Sequence, residues 1–393
     1  MKIIGIFLNN QFRTGGNRRY LELMEGLASR GNQVYVIMND YLDYKPDNFI
    51  KISIPIKYKR RGFPPASYLF KRSIKKGIES ILKEIAPSLA SAPDFIHIHG
   101  DTHLKAALYL SRKTGSPLFY AFRANDIDRA HILRNTGTLG LGEYFFSLFY
   151  ENINRHREKV IARQIPLITF QNAADCDRFL LRTGCKREKT VIIPGNIGPP
   201  RFTDEWKNRN SSVKLEKLLY VGSLSSGKGF WDLLKALSEL KKAGYTHLKC
   251  AALGRKEHIE ETEKLIADLG IGDMVSLEGY KQPFPYLAEY DLMVYPSYYD
   301  AFPDTILEAL HAGCPVIAAA VGGIPDILHY GELLFNPGRV NEIADAIQRC
   351  IKDTSFYAHL RALCAKRVPC FTFDWAEAFE KAMVSHKDSV CQK

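Results

Sequence analysis

Two carboxylates, Asp300 and Glu308, stand on either side of a Phe-Pro-Asp turn in "YYDAFPDTILEALHAGCPV" (298–316). Such a pair could work as general acid and base. It could equally be a loop acid and a helix-surface charge, or two acceptors gripping a ligand rich in hydroxyls. Asp304, behind Pro303, reads as a helix N-cap, which puts Glu308 one turn inside the helix. A carboxylate there can accept hydrogen bonds from a vicinal diol, as a ribose offers.

A lysine lies in "YVGSLSSGKGFWDLLKAL" (220–237), where a loop of small residues from Gly222 to Gly229 joins a strand to a helix. The spacing from Gly222 to Lys228 matches GxxxxGK, but Gly229 stands where a Ser or Thr would bind magnesium. A mononucleotide triphosphatase would therefore lack its metal ligand. A lysine that neutralises a diphosphate needs no such partner. A second glycine loop, Gly15-Gly16 in "FLNNQFRTGGNRRYLELMEGLASRGNQV" (7–34), lets backbone approach an anion at a helix N-terminus. It is not GxGxxG followed by an acid, so a nicotinamide cofactor has little support. His97 and His99 alternate on one strand and so share a face, with His103 beyond it, but no carboxylate or cysteine completes a metal set, so the three are expected to be structural or to line an acceptor.

These residues need a scaffold, and the chain supplies one by alternating short β-branched runs with helical patterns. In the first half the strands read "KIIGIFL" (2–8), "QVYVIM" (33–38), "FIHIH" (95–99), "PLFYAF" (117–122), "LITF" (167–170) and "TVIIP" (190–194). Helices such as 17–30 and 101–113 are expected between them. A polar stretch rich in Pro, Gly and Asn (195–217) reads as a linker. A second set follows: "KLLYVG" (217–222), "LKCAAL" (248–253), "MVSLEG" (274–279), "DLMVYPS" (291–297) and "CPVIAAA" (314–320), with helices near 229–243, 256–269, 304–312 and 340–352. The expectation is α/β with two doubly wound, Rossmann-like domains, 1–200 and 201–370, and a terminal helix in 371–393. Such domains bind ligands at the C-terminal ends of their strands.

The 393 residues suit two domains, and 46% hydrophobic with 25% charged residues is ordinary for a globular chain. Eight cysteines show no CxxC spacing, which fits reduced thiols. The opening apolar run is too short for a signal peptide, and no window reaches the ~18 apolar residues of a spanning helix. A cytoplasmic protein is expected. The net charge of +11 points to anionic company. Two stretches concentrate it: "KYKRRGFPPASYLFKRSIKK" (57–76), and "YFFSLFYENINRHREKVIAR" (144–163), where an aromatic run meets a basic tail. Each is either a solvated helix face or a peripheral dock on an anionic membrane surface. No nucleic-acid-binding signature is present, so nucleic acid is not an expected partner.

Taken together, the glycine loops, Lys228 and the block "YLAEYDLMVYPSYYDAFPDTILEALHAGCPVIAAAVGGIPDIL" resemble the retaining family 4 glycosyltransferases of the GT-B fold. The likeness runs nearly the whole chain and is strongest over 217–340. It implies two Rossmann-like domains facing across a cleft. It also implies retaining, metal-independent transfer from a nucleotide-diphosphate sugar to a hydroxyl of a glycan or lipid-linked saccharide. No cofactor beyond the donor is implied. On this resemblance Lys228 neutralises the diphosphate, Glu308 holds the ribose and Asp300 meets the donor sugar. Backbone at Phe302, Pro303, Asp304, Thr305 and Ile306 faces sugar and phosphate oxygens. Gly15, Gly16, Gly222, Ser223 and Gly254 line the rest of the donor site. Arg123, Asn125 and Asp126, in "FRANDIDR" (122–129), replace a His-Asp turn of the family, and with His99 they are assigned to the acceptor side or the reacting carbon.

Three departures stand out. The family has Glu where this chain has Asp300, and Arg where it has Ser223; its "NG" reads "GNIG" (195–198) here. They keep open a nucleotide-sugar-binding protein with weak or no transferase activity. "DID" (126–128) and "DCD" (175–177) also match the DxD of metal-dependent transferases, a pattern short enough to recur by chance.

Overall fold

The computed structural model describes residues 1–9, 15–40, 42–54, 92–100, 103–123, 125–135, 141–196, 214–255 and 258–391. The basic run 57–76 and most of the expected linker lie outside the described residues. The chain divides into two compact units. The first comprises 1–124, 153–193 and 374–393; the second comprises 125–152 and 194–373.

The first unit holds a seven-stranded sheet in the order β3-β2-β1-β4-β5-β6-β7. Its strands are β1 Lys2–Phe7, β2 Gln33–Asn39, β3 Ile50–Ile54, β4 Phe95–His99, β5 Leu118–Ala121, β6 Leu167–Phe170 and β7 Thr190–Ile192. Every pairing is parallel, for example Ile4 opposite Tyr35 and Ile96. Parallel strands need crossover helices on both faces, which is why β1, β5 and β6 are buried almost throughout. The helices are α1 Gly15–Ser29, α2 Leu104–Thr114, α3 Asp126–Asn135, α4 Leu141–Gln164 and α5 Ala173–Thr183. Of these, α3 and the start of α4 group with the second unit. Within that unit the backbone N–H of Asn125, just before α3, donates to the Tyr299 hydroxyl at 2.7 Å.

The second unit holds a six-stranded parallel sheet in the order β10-β9-β8-β11-β12-β13. Its strands are β8 Lys217–Val221, β9 Lys249–Leu253, β10 Val275–Gly279, β11 Leu292–Tyr295, β12 Val316–Ala319 and β13 Leu334–Phe335. Around it lie α6 Phe230–Lys242, α7 Ile259–Asp268, α8 Phe284–Glu289, α9 Asp304–His311, α10 Ile324–Leu328, α11 Val340–Lys352 and α12 Thr354–Arg367. The last helix, α13 Trp375–Cys391, belongs to the first unit, where Arg30 bonds Glu380 at 2.7 Å and Asp374 at 2.9 Å. Each unit has its own apolar core. Among the described residues no helix is long and apolar enough to cross a membrane.

Candidate functional site

Both sheets reverse strand order beside their first strand: β8 lies between β9 and β11, β1 between β2 and β4. Loops leaving the strands on either side of such a switch point diverge and open a crevice. In the second unit Lys228 leaves β8 and Asp300 leaves β11. Their side chains meet there, with Nζ 2.9 Å from Oδ2 and exposures of 35% and 22%. Asp300 Oδ2 also accepts from the Tyr295 hydroxyl at 2.8 Å. Burial and the Asp300 charge push the Tyr295 phenol well above its ordinary pKa, so it stays a donor at neutral pH. The Asp300 carbonyl is held by the backbone N–H of Gly323 at 3.3 Å. A side chain at Gly322 would put its Cβ 1.8 Å from that same oxygen.

The walls of this crevice are backbone. Gly229 ends the turn Ser226–Lys228 at φ +69°, and a Cβ there would sit 1.9 Å from the Pro296 carbonyl oxygen. A Cβ on Gly254 would fall 1.6 Å from the Gly222 oxygen. The Ser223 carbonyl accepts from Tyr220 at 2.7 Å. Tyr298, on the other loop, donates to Asp232 at 2.7 Å.

Helix α9 starts at Asp304, but the cap position belongs to Pro303 and no side chain caps the first turn. The expectation that Asp304 is the N-cap is corrected accordingly, because Pro303 already has the extended backbone of a cap. The helix N-terminus keeps its partial positive charge close to Asp300 in the chain. Glu308 follows one turn in, half-buried. Thr305 is half-buried in the first turn. The side chains of Phe302 and Ile306, whose backbone the resemblance assigns to the donor, belong to the core. Ile306 is fully buried in the core, and its N–H is used by the Pro303 carbonyl at 3.1 Å. Phe302 packs on Phe371, 5.9 Å between ring centres, and closes over Gly195.

In the first unit the glycine loop and Arg123 do come together. The Arg123 guanidinium lies on Gly16 so closely that a Cβ would fall 0.9 Å from Nη2. Gly15 and Gly16 open α1, so a guanidinium and a helix N-terminus share one place. His99 ends β4 beside them, its imidazole pushed well below its usual pKa by burial first and then by Arg123, His97 and Arg19. His97 is fully buried between Tyr20 (5.5 Å, stacked) and the edges of Phe119 and Phe379. Burial drives it down to about 3. His103 accepts from the Leu8 N–H at 3.3 Å and is driven down to about 4.

Asn125, assigned to the acceptor side by the resemblance, has a structural task as well. It is fully buried and caps α3: Oδ1 accepts from the Asp128 N–H at 3.1 Å, and Nδ2 donates to Asp128 Oδ2 at 2.7 Å. Asp126 is the first residue of that helix. "DCD" has the same origin, since Asp175 bonds the capping Asn172 in the first turn of α5. Both DxD triplets thus open helices. Among the described residues no three His, Cys, Asp or Glu side chains converge as a metal site.

Sequence reasoning missed the tyrosines. Tyr295, Tyr298 and Tyr299 each tie a crevice loop through the hydroxyl. Their clustering in "VYPSYYDAF" was the available signal.

The family described as "Glycosyltransferase Family 4" matches residues 13–197, and the one described as "Glycosyl transferases group 1" matches 202–367. The chain belongs to the family 4 glycosyltransferases. Among this chain's relatives is the MMP alpha-(1->4)-mannosyltransferase of Mycolicibacterium hassiacum, 26% identical over 200 residues, which are 49% of this chain and 47% of that protein. The match thus spans about half of that relative. Among solved structures, sucrose-phosphate synthase from Thermosynechococcus elongatus superposes with a TM-score of 0.76 at 18% identity, covering 99% of this chain and 98% of that one. The Anabaena protein HepE, solved with UDP and glucose, gives 0.71 at 16% identity, covering 98% and 100%. This family 4 glycosyltransferase has the GT-B type of fold, with two parallel Rossmann-like sheets.

Proposed function

We propose that this glycosyltransferase moves a sugar from a nucleotide-diphosphate donor to a hydroxyl of a glycan or lipid-linked saccharide, with retention and without an essential metal. The observation that carries the reading is the Lys228–Asp300 pair at 2.9 Å across the switch point of the second sheet, with Glu308 one turn into the helix that follows. As the bond from anomeric carbon to phosphate oxygen breaks, negative charge collects on the departing diphosphate. Lys228 and the amides opening α9 stabilise that charge, the electrostatic contribution that is usually largest. Asp300 shares Lys228 and faces the sugar, and Glu308 accepts from the ribose diol. The acceptor oxygen attacks from the face the phosphate leaves, and the departing phosphate takes its proton. The related structure solved with UDP supports a uridine donor. An anionic membrane surface is the expected place of work, in keeping with the charge of +11.

The test is turnover of a panel of nucleotide sugars with candidate acceptors, run with and without chelator. Product whose anomeric configuration matches the donor, unchanged by chelator, supports the proposal. A second reading is a nucleotide-sugar-binding protein with little turnover. It is favoured by Ser223 in place of the family's arginine and by Asp300 being engaged with Lys228 and Tyr295. Tight nucleotide binding without product from any acceptor would select it.

A further inference from the structure

Helix α4 carries an unusual surface. Phe145, Phe146 and Phe149 are 67%, 63% and 63% exposed, with Tyr144, Leu148 and Tyr150 also open to solvent. Large aromatics cluster this way on a soluble surface where something covers them. The rest of the helix says what. In steps of three and four residues, the side chains on one face run Phe145, Leu148, Phe149, Asn152, Arg155, His156, Lys159 and Arg163, all exposed. The face is aromatic in its first half and basic in its second, and it holds no acid.

The two acids of the helix after position 143 are turned the other way. Glu151 pairs with Arg134, and Glu158 takes a two-pronged bond from Arg182 at 2.8 Å on both oxygens. Asn154, Glu158 and Ile161 on that opposite face are buried. The fold therefore uses the helix's acids internally and leaves its aromatics and cations outside.

We propose that this face of α4 docks the protein on an anionic lipid surface. The aromatics enter the boundary between headgroups and acyl chains, and Arg155, Lys159 and Arg163 meet lipid phosphates. A second copy of the chain is a poorer occupant, because each copy carries +11 and repels the other, whereas anionic lipid attracts it. The proposal rests on the membrane part of the proposed function and not on its transfer chemistry.

The experiment is co-sedimentation of the full chain with phosphatidylcholine vesicles, with and without phosphatidylglycerol, across salt concentrations. Wild type is expected to bind only the anionic vesicles and to be released by salt. Phe145→Ser with Phe149→Ser should weaken binding at least tenfold. Arg155→Gln, Lys159→Gln and Arg163→Gln together should weaken it on the order of a hundredfold and flatten the salt dependence. Thermal unfolding of each variant checks that the fold is kept. Wild type left in the supernatant at low salt overturns the proposal, and so do variants that bind like wild type. A dimer in sedimentation velocity that the Phe145/Phe149 variant dissolves, with no vesicle binding, also overturns it by assigning the face to a second copy. Thermal shift with a panel of nucleoside diphosphates, UDP and GDP among them, is read on the same preparations: vesicle binding with no shift from any of them would count against the donor site and leave the docking face standing.

Discussion

In the second unit the crevice between β8 and β11 is walled by peptide groups. Gly229 and Gly254 meet carbonyl oxygens of Pro296 and Gly222, and Gly322 meets that of Asp300. In the first unit the matching place between β1 and β4 is covered by the far end of a side chain, the Arg123 guanidinium on Gly16. Peptide walls cannot yield without moving strands, whereas a guanidinium can swing on its rotamers. The same element order thus yields one crevice of fixed shape and one whose charge can be repositioned.

The largest effect should come from the fixed crevice. Lys228→Ala is expected to lower the transfer rate by about 10²–10³. Its melting temperature should hardly move, because the pair with Asp300 is partly exposed and Tyr295 still bonds the carboxylate. A rate unchanged in steady-state assays would remove Lys228 from the chemistry. Next comes Gly254→Ala, whose Cβ would fall 1.6 Å from the Gly222 oxygen. Overpacking against backbone should cost about 3 kcal/mol in thermal or urea unfolding. A near-neutral variant would mean that the peptide walls yield as readily as a side chain does.

A third expectation concerns acid. Unfolded imidazoles take up protons below about pH 6.5, but His103 and His97 in the first unit resist until about 4 and 3. Their contribution to stability is therefore complete above about pH 6.5 and is lost as pH falls through the window down to those values. His97→Phe, placed among Tyr20, Phe119 and Phe379, should recover about 2 kcal/mol at pH 5 relative to its effect at pH 7.5. Equal effects at both pH values would show that His97 does not set the acid sensitivity. The smallest effect belongs to the movable crevice. Gly16→Ala should cost under about 1 kcal/mol, with the cost vanishing in an Arg123→Ala background, a coupling that a double-mutant cycle measures. A large loss that survives removal of Arg123 would show that the first crevice is as rigid as the second.

The strands were the most legible part of the chain. Buried parallel strands are short apolar runs bounded by turn residues, and "LMVY" and "VIAA" could be little else. Helix α11 was legible too, because its apolar positions recur at helical spacing between Arg339 and Asp353. Strand β3, "IKISI", was missed because it is a sparsely buried edge. Helix α5 is marked by its cap, Asn172, whose side chain accepts from the Asp175 N–H. In the candidate site, local spacing put Lys228 in a glycine loop before a helix and Glu308 one turn into the next one, and the structure has both there. The pairing of Lys228 with Asp300 joins loops 72 residues apart, which local pattern does not encode. The same is true of Arg123 on Gly16, since that contact depends on where β5 lies in the sheet.

Helix α13 has a bearing on biosynthesis. The first unit is opened by β1 and finished by a helix whose residues leave the ribosome after the entire second unit. Until Phe379 emerges, the ring cluster around His97 lacks one wall, and Arg30 and Asn32 lack their Glu380 partner. The second unit can close its core first, and the N-terminal sheet must wait, incompletely covered, until α13 has been made.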